Sequence, residues 1–212
     1  MRARGLFISF EGLDGSGKTT QMRRLAKRLR ARGHVVLETV EPGGTEIGGK
    51  IRQVLLDAAN QELSPTAELL LYFASRAQNV DERIGPALRR GEIVLADRFT
   101  DSTLVYQGCG RGLGAETVLA LDRIAGRGLK PDLTLLLDID VETSLARARA
   151  RNAAQPAGET RMDEQSLEFH RKVYEAYQAL AAGEPERIRR IDGRAAIEEI
   201  ELAIWDMVSA HV

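Results

Sequence analysis

The chain has 212 residues, enough for one domain with a sizeable buried core. Its 30 basic and 31 acidic residues nearly cancel, so the electrostatic footprint of a nucleic-acid partner is missing, and 43% hydrophobic with 29% charged residues argues against wholesale disorder. The longest stretch free of Asp, Glu, Lys and Arg is the nine residues Ser102 to Gly110, which excludes a transmembrane helix of roughly twenty apolar residues.

Met1 to Gly5 runs straight into a strand-like segment and lacks the apolar core of a signal peptide, so a cytoplasmic protein with no membrane partner is expected. Leu6 to Phe10 is the first predicted strand. His34 to Val40, Ile93 to Ala96, Leu133 to Leu137 and the weaker Ile188 to Ile191 follow. Short continuous apolar runs suit strands covered on both faces, as in a parallel sheet. Helical periodicity fills the gaps. Met22, Leu25, Ala26 and Leu29 recur at three- and four-residue steps, with Gly33 as the stop. Ser64-Pro65 reads as a cap and first-turn proline, before an apolar face of Leu69, Leu70, Phe73, Ala77, Val80 and Ile84. Pro86 should kink or shorten that helix and Gly91 should end it. Further helices are expected near 115–125, 141–151, 163–181 and 195–208. Strands alternating with helices imply an α/β protein, a three-layer doubly wound fold on a five-stranded parallel sheet. The polar stretch Asn152 to Thr160, with Pro156 and Gly158, reads as a loop flanked by Arg147, Arg149, Arg151 and Arg161. On composition alone it is a solvated surface loop. Cys109, the single cysteine, permits no intrachain disulfide and no cysteine-built metal site.

Between the first strand and first helix lies Gly12-Leu13-Asp14-Gly15-Ser16-Gly17-Lys18-Thr19, matching the phosphate-loop pattern G-x-x-x-x-G-K-[ST] in its expected context. Glycines let the backbone turn tightly and aim N–H groups at phosphate oxygens, and the following helix adds its positive end. Lys18 would reach the outer phosphates, Thr19 would help hold Mg²⁺, and the loop from Gly12 through Thr20 would bind a nucleoside triphosphate such as ATP. Two reaction classes compete: a small-molecule kinase, and a GTPase switch or motor ATPase. The chain has no Asn-Lys-x-Asp guanine reader. Instead Ile93 to Ala96 leads into Asp97-Arg98-Phe99, which brings a carboxylate and an arginine to the end of a strand, where open α/β sheets place ligands. Arg98 can bind phosphate in a fork, and Asp97 can orient it or touch the metal shell. A structural Asp–Arg ion pair is the competing reading.

Further motifs make the pattern specific. Glu41-Pro42-Gly43-Gly44-Thr45, then Phe73-Ala74-Ser75-Arg76-Ala77-Gln78, then Asp97-Arg98-Phe99 with Ser102-Thr103 and Tyr106-Gln107-Gly108 occur in an order and spacing that resembles the thymidylate kinases across most of the chain. The resemblance implies a P-loop NTPase fold, the reaction ATP + dTMP to ADP + dTDP, a homodimer, and one nucleoside monophosphate kinase domain over 1–212 with a lid near 147–161. It implies that Arg98 binds the dTMP phosphate, Phe73 packs on thymine, Arg76 and Thr103 contact its polar edge, and Tyr106 lies against the deoxyribose. Glu41, Pro42, Ser102 and Gln107 complete the acceptor set. Asp14 would lie near the sugar 3′-OH and the Mg²⁺ shell. The Asp192-Gly193-Arg194 turn would line the adenine pocket, with Arg147 and Arg194 on the ATP. In one branch of the family an arginine follows the phosphate-loop acid. Here that position is Gly15, so the catalytic arginine is expected in the lid, with Arg151 its best match beside Lys18 and Arg98. Phe99 stands where a more polar residue is common, and Cys109 replaces a glycine.

Overall fold

The computed structural model describes residues 4–154 and 159–212; Pro156 and Gly158 of the expected loop lie outside the described residues. The chain runs β1 (Phe7–Glu11), α1 (Lys18–Ala31), β2 (Val36–Val40), α2 (Glu46–Leu56), α3 (Pro65–Asn79), α4 (Gly85–Arg89), β3 (Ile93–Asp97), α5 (Thr100–Thr103), α6 (Ala115–Ala125), β4 (Leu133–Asp138), α7 (Val141–Ala154), α8 (Leu167–Gly183), β5 (Ile188–Asp192) and α9 (Ile197–Val208). All five strands pair in parallel, in the order β2-β3-β1-β4-β5. Central β1 is buried throughout. Its alternate residues serve the two layers: Ile8 and Phe10 pack with Met22, Leu25 and Ile204, while Phe7 packs with Val80, Ile84 and Phe99. The expected three-layer α/β fold is what the structure has.

Departures from the sequence expectations have local causes. Before Pro86, the helix widens into a π-turn at Val80–Ile84 and resumes as α4, because proline has no N–H to continue the ladder. A second π-turn, Leu104–Gly110, carries Tyr106 and Gln107. α8 starts at Leu167, four residues later than its periodicity suggests, because Ser166 caps it through Phe169 N–H at 3.1 Å. Helix α2 was not expected at all. Adjacent Gly48 and Gly49 each cost roughly 1 kcal/mol of helix propensity and hide it. Gly48 is needed there because a Cβ would lie 2.4 Å from the Gly43 carbonyl oxygen.

Candidate active site

The C-terminal ends of β1 and β3 are neighbours, with Phe10 in register with Asp97. Two cavities open there. One, about 710 Å³, is lined by the phosphate loop, the start of α1 and Asp97. The other, about 310 Å³, is lined by α3, the Asp97-Arg98-Phe99 turn and the second π-turn. Asp14, Glu41, Arg52, Arg98 and Arg151 line both.

Backbone geometry dominates the larger cavity. Gly12, Gly15 and Gly17 take φ of +134°, +75° and +95°, values that L side chains adopt at a cost. A Cβ at position 15 would sit 2.8 Å from Arg147 Cβ and 2.9 Å from the Ser144 carbonyl oxygen. Helix α7 therefore occupies the space an arginine at position 15 would need. Ser144 Oγ donates to the Asp14 carbonyl at 2.6 Å, fastening α7 to the loop. Buried Lys18 turns back on the loop, donating to the Gly12 and Leu13 carbonyls at 3.2 and 2.8 Å. Burial, then the Arg98 charge, pushes its ammonium down to about 8 despite the nearby Asp14 and Asp97 carboxylates. Ser16 Oγ is buried without a partner among the described residues. Thr19 donates its hydroxyl proton to Asp97.

Glu11 organises the boundary. It is fully buried and accepts from Phe99 N–H at 2.8 Å, Ser102 Oγ at 2.5 Å and Tyr177 OH at 2.9 Å. Burial, reinforced by the Asp101 charge, lifts its carboxyl to about 7 against the pull of Arg98. These bonds hold the turn in which Arg98 adopts φ +75°, a strained value for a non-glycine residue. Arg98 donates to Asp14 at 2.8 Å, and its guanidinium lies 5.0 Å from the Tyr106 ring centroid. Burial alone would raise the Asp14 carboxyl. Arg98 and Lys18 outweigh it and hold the group well below the usual carboxylate range. Asp14 thus pairs with Arg98 and lines the larger cavity together with Thr19 and Asp97.

Ion pairs build the smaller cavity. Arg76, 1% exposed, donates to Glu41 at 2.7 Å, Asp122 at 3.2 Å, Thr100 at 3.4 Å and Thr103 at 2.9 Å. Burial lifts the Glu41 carboxyl even beside Arg76. A second buried carboxylate, Glu68, accepts from Gln107 at 2.8 Å and twice from Arg111 at 3.1 and 3.0 Å. Pro42, Ser102, Thr103, Tyr106 and Gln107 all line this cavity as expected.

Two expected site residues lie elsewhere. Phe73 does not line the cavity; it is buried with Leu69, Val118 and Ala125, 4.9 Å beneath the Arg76 guanidinium, while Tyr72 and Phe99 reach the cavity wall. The polar lining and the buried pairs of Arg76 cover it. Arg194 lines neither cavity. It is exposed and ion-paired to Asp192 at 2.9 Å, its neighbour by two residues. Gly193, by contrast, abuts Ser16 and accepts from Arg147 at 3.1 Å.

The flanking arginines also separate. Arg161 is buried, donating to the Leu55 carbonyl at 2.5 Å and ion-paired to Glu68 at 2.8 Å. Arg149 is exposed and lines neither cavity, and Arg147 lines only the larger one. Arg151 lines both and is tied to Asp163 at 2.8 Å. Sequence reasoning missed Arg52, whose helix it missed. Arg52 lines both cavities, holds Glu159 through three contacts of 2.8 to 3.2 Å, and donates to the Pro42 carbonyl at 3.0 Å. The legible signal was Thr45, which caps α2 by accepting from Gly48 N–H at 2.9 Å.

A phosphate loop at the end of a central strand, beside a second anion-lined and cation-lined cavity, defines a nucleotide phosphotransferase of the nucleoside monophosphate kinase class. The thymidylate kinase family model matches residues 10–204, and the chain belongs to that family. A thymidylate kinase of Pelobacter propionicus is 53% identical over 94% of this chain and 92% of its own length. One from Geobacter sulfurreducens is 51% identical over 98% of both chains. The crystal structure of thymidylate kinase from Ehrlichia chaffeensis matches with TM-score 0.77 at 30% identity, over 97% of this chain and 99% of that one.

Proposed function

We propose that this chain transfers the γ-phosphoryl group of ATP to dTMP, giving ADP and dTDP, with ATP in the larger cavity and dTMP in the smaller. The observation that carries this reading is that the two cavities meet at Asp14, Arg98 and Arg151. Phosphoryl transfer needs two anionic substrates in line and charge stabilised on the moving group, with no covalent intermediate. The Gly12–Thr20 amides and Lys18 hold the donor phosphates. Lys18 exchanges its two carbonyl partners for phosphate oxygens. Arg98 binds the acceptor phosphate. Arg151 leaves Asp163 to neutralise the group in transit. The dTMP phosphate is already ionised and needs no general base.

Mg²⁺ fits the hydroxyl–carboxylate pair Thr19 and Asp97, hard oxygen ligands that leave several positions for water and phosphate. When bound it would neutralise charge on the donor phosphates. On the acceptor side, four of the five Arg76 N–H groups have protein partners, and the remaining Nη2–H suits the thymine 4-carbonyl. Thr103 would accept from thymine N3–H. Tyr106 would exclude a ribose 2′-OH. The lid spans 147–161 within one domain of 1–212, and the compartment is the cytoplasm; among the described residues no helix is long and apolar enough to cross a membrane. A homodimer is supported by exposed Ile47 and Val54 on α2, Leu70 on α3, and Leu119 and Ile124 on α6.

The test is phosphorylation with ATP, Mg²⁺ and a panel of monophosphates. dTMP should be the best acceptor. dUMP, which lacks only a methyl, should fall by about 1–3 kcal/mol in kcat/KM terms. dCMP should fall by roughly 10⁴ or more, because its amino group faces Arg76 donor to donor. Slow GTP hydrolysis with no monophosphate accepted would instead favour a GTPase.

A further inference from the structure

Arg98 has more buried partners than a simple phosphate clamp requires. Its Nη1 donates to Ser102 Oγ at 2.9 Å and to Tyr177 OH at 3.2 Å. Its Nη2 faces Asp14 at 2.8 Å and the Tyr106 hydroxyl at 3.4 Å. Ser102 and Tyr106 belong to the segment that follows Arg98. Tyr177 comes from α8, nearly eighty residues downstream and beyond the lid, and it lines neither cavity. It is 3% exposed, its ring meets Tyr106 edge-on at 6.3 Å, and its hydroxyl also lies 2.9 Å from both Glu11 and Ser102.

The proton inventory of this cluster is directional. Ser102 and Tyr177 carry one hydroxyl proton each. Glu11 draws the Ser102 proton at 2.5 Å, and the Tyr177 proton goes to Glu11 or to Ser102, both at 2.9 Å. In each arrangement the two oxygens turn lone pairs toward Arg98 Nη1. A guanidinium is a rigid plane, so pinning both Nη1 protons fixes where the opposite edge, Nε and Nη2, points. That edge retains the Nε–H, which has no partner among the described residues, and the Nη2 protons now held by Asp14 and Tyr106. It is the edge left for forked contact with a phosphate.

We propose that Tyr177 is a positioning residue for dTMP phosphorylation: its hydroxyl, held by Glu11 and paired with Ser102, orients the Arg98 guanidinium so that its Nε–Nη2 edge meets the acceptor phosphate. This rests on the reading of Arg98 as the acceptor-phosphate ligand. The same contact makes α8, the helix that follows the lid, part of the acceptor site, although its tyrosine touches no substrate.

The experiment compares Tyr177→Phe, Ser102→Ala and Arg98→Lys with wild type. It measures KM for dTMP, KM for ATP and kcat, with thermal unfolding as the check on folding. Losing one hydrogen bond to a charged group should raise KM for dTMP about tenfold in Tyr177→Phe, with KM for ATP within about twofold. Ser102→Ala, which removes the other acceptor on the same nitrogen from a different element, should shift the same constant in the same direction. A role in packing alone would lower the unfolding temperature and leave the dTMP constant in place, and that result in Tyr177→Phe overturns the proposal. If Tyr177→Phe does not fold, an unchanged dTMP constant in folded Ser102→Ala overturns it instead. Arg98→Lys separates the layers. A large dTMP defect there without one in Tyr177→Phe defeats the positioning role alone, whereas no defect in Arg98→Lys defeats the assignment of Arg98 and the proposal with it.

Discussion

The two cavities are built from different materials. The larger cavity, the proposed donor side, is made of main chain: three glycines with positive φ, a helix start, and a lysine resting on two carbonyls. The smaller cavity, the proposed acceptor side, rests on buried ion pairs between segments far apart in the chain, such as Arg76 with Glu41 and Asp122, or Glu68 with Arg111 and Arg161. A main-chain nest is a local object, and eight consecutive residues specify it. A side-chain network is a tertiary object, with each member meaningless until its partner is placed. The two sides should therefore fail differently when damaged: the donor side in affinity and rate, the acceptor side in stability as well.

The largest expected effect lies where the sides meet. Arg151→Ala should lower kcat by roughly 10³–10⁵, as loss of an arginine finger does in related transfers, while KM for dTMP changes far less. Its only ion-pair partner among the described residues, Asp163, is on the surface of the acceptor cavity, so the fold should survive. If Arg147→Ala, Arg149→Ala and Arg151→Ala all keep near-normal kcat, the flanking segment is only solvated surface.

Arg76→Ala should come next and should separate the two kinds of construction. It strands Glu41, 4% exposed, without its charge partner. Breaking a buried pair in this way costs about 3–5 kcal/mol, measurable by urea unfolding. Lys18→Met, also at a buried site but with only loop carbonyls as hydrogen-bond partners, should lose turnover and keep most of its stability. Equal destabilisation of the two variants would erase the distinction between the sides.

The smallest effect is a pH dependence. Burial and Arg98 lower the free-site Lys18 ammonium to about 8, and a bound triphosphate must raise it again. Binding then favours the protonated amine. ATP affinity should be flat below about pH 7, weaken as pH rises through 8, and be about tenfold poorer a unit higher. Calorimetric titration with ATP at pH 7, 8 and 9 checks this, and Lys18→Met should flatten the profile.

The same division explains what could be read in advance. β1, the phosphate loop and α1 were legible because strand, turn and helix signals are adjacent in the chain. The parallel five-stranded sheet and the place of Asp97 and Arg98 at a strand's C-terminal end followed from the α/β alternation, whereas the strand order β2-β3-β1-β4-β5 depends on packing and is seen only in the structure. Arg151 was singled out only by a resemblance, and Gly15 acquires its physical reason only once α7 is seen lying across it. Phe73 was misplaced because an aromatic on the apolar face of a helix has the same periodicity whether it meets a ligand or the core. Arg52 was hidden with its helix by two glycines. Glu68 and Tyr177 could not be found at all. One reads as an ordinary polar residue near a helix start, the other as one more aromatic on an amphipathic helix, and their partners lie 43 and 79 residues away.

The central claim is that one molecule holds both nucleotides at once, with their phosphates converging on Asp14, Arg98 and Arg151. A bisubstrate compound, adenosine and thymidine joined through a chain of five phosphates, tests it most directly by equilibrium binding to wild type and to Arg151→Ala. Linking two bound parts makes the second binding intramolecular, so the compound should bind wild type at least 10²-fold more tightly than either nucleotide alone. Part of that gain should disappear in Arg151→Ala. A compound that binds no more tightly than dTMP, or that binds equally well without Arg151, would contradict the account.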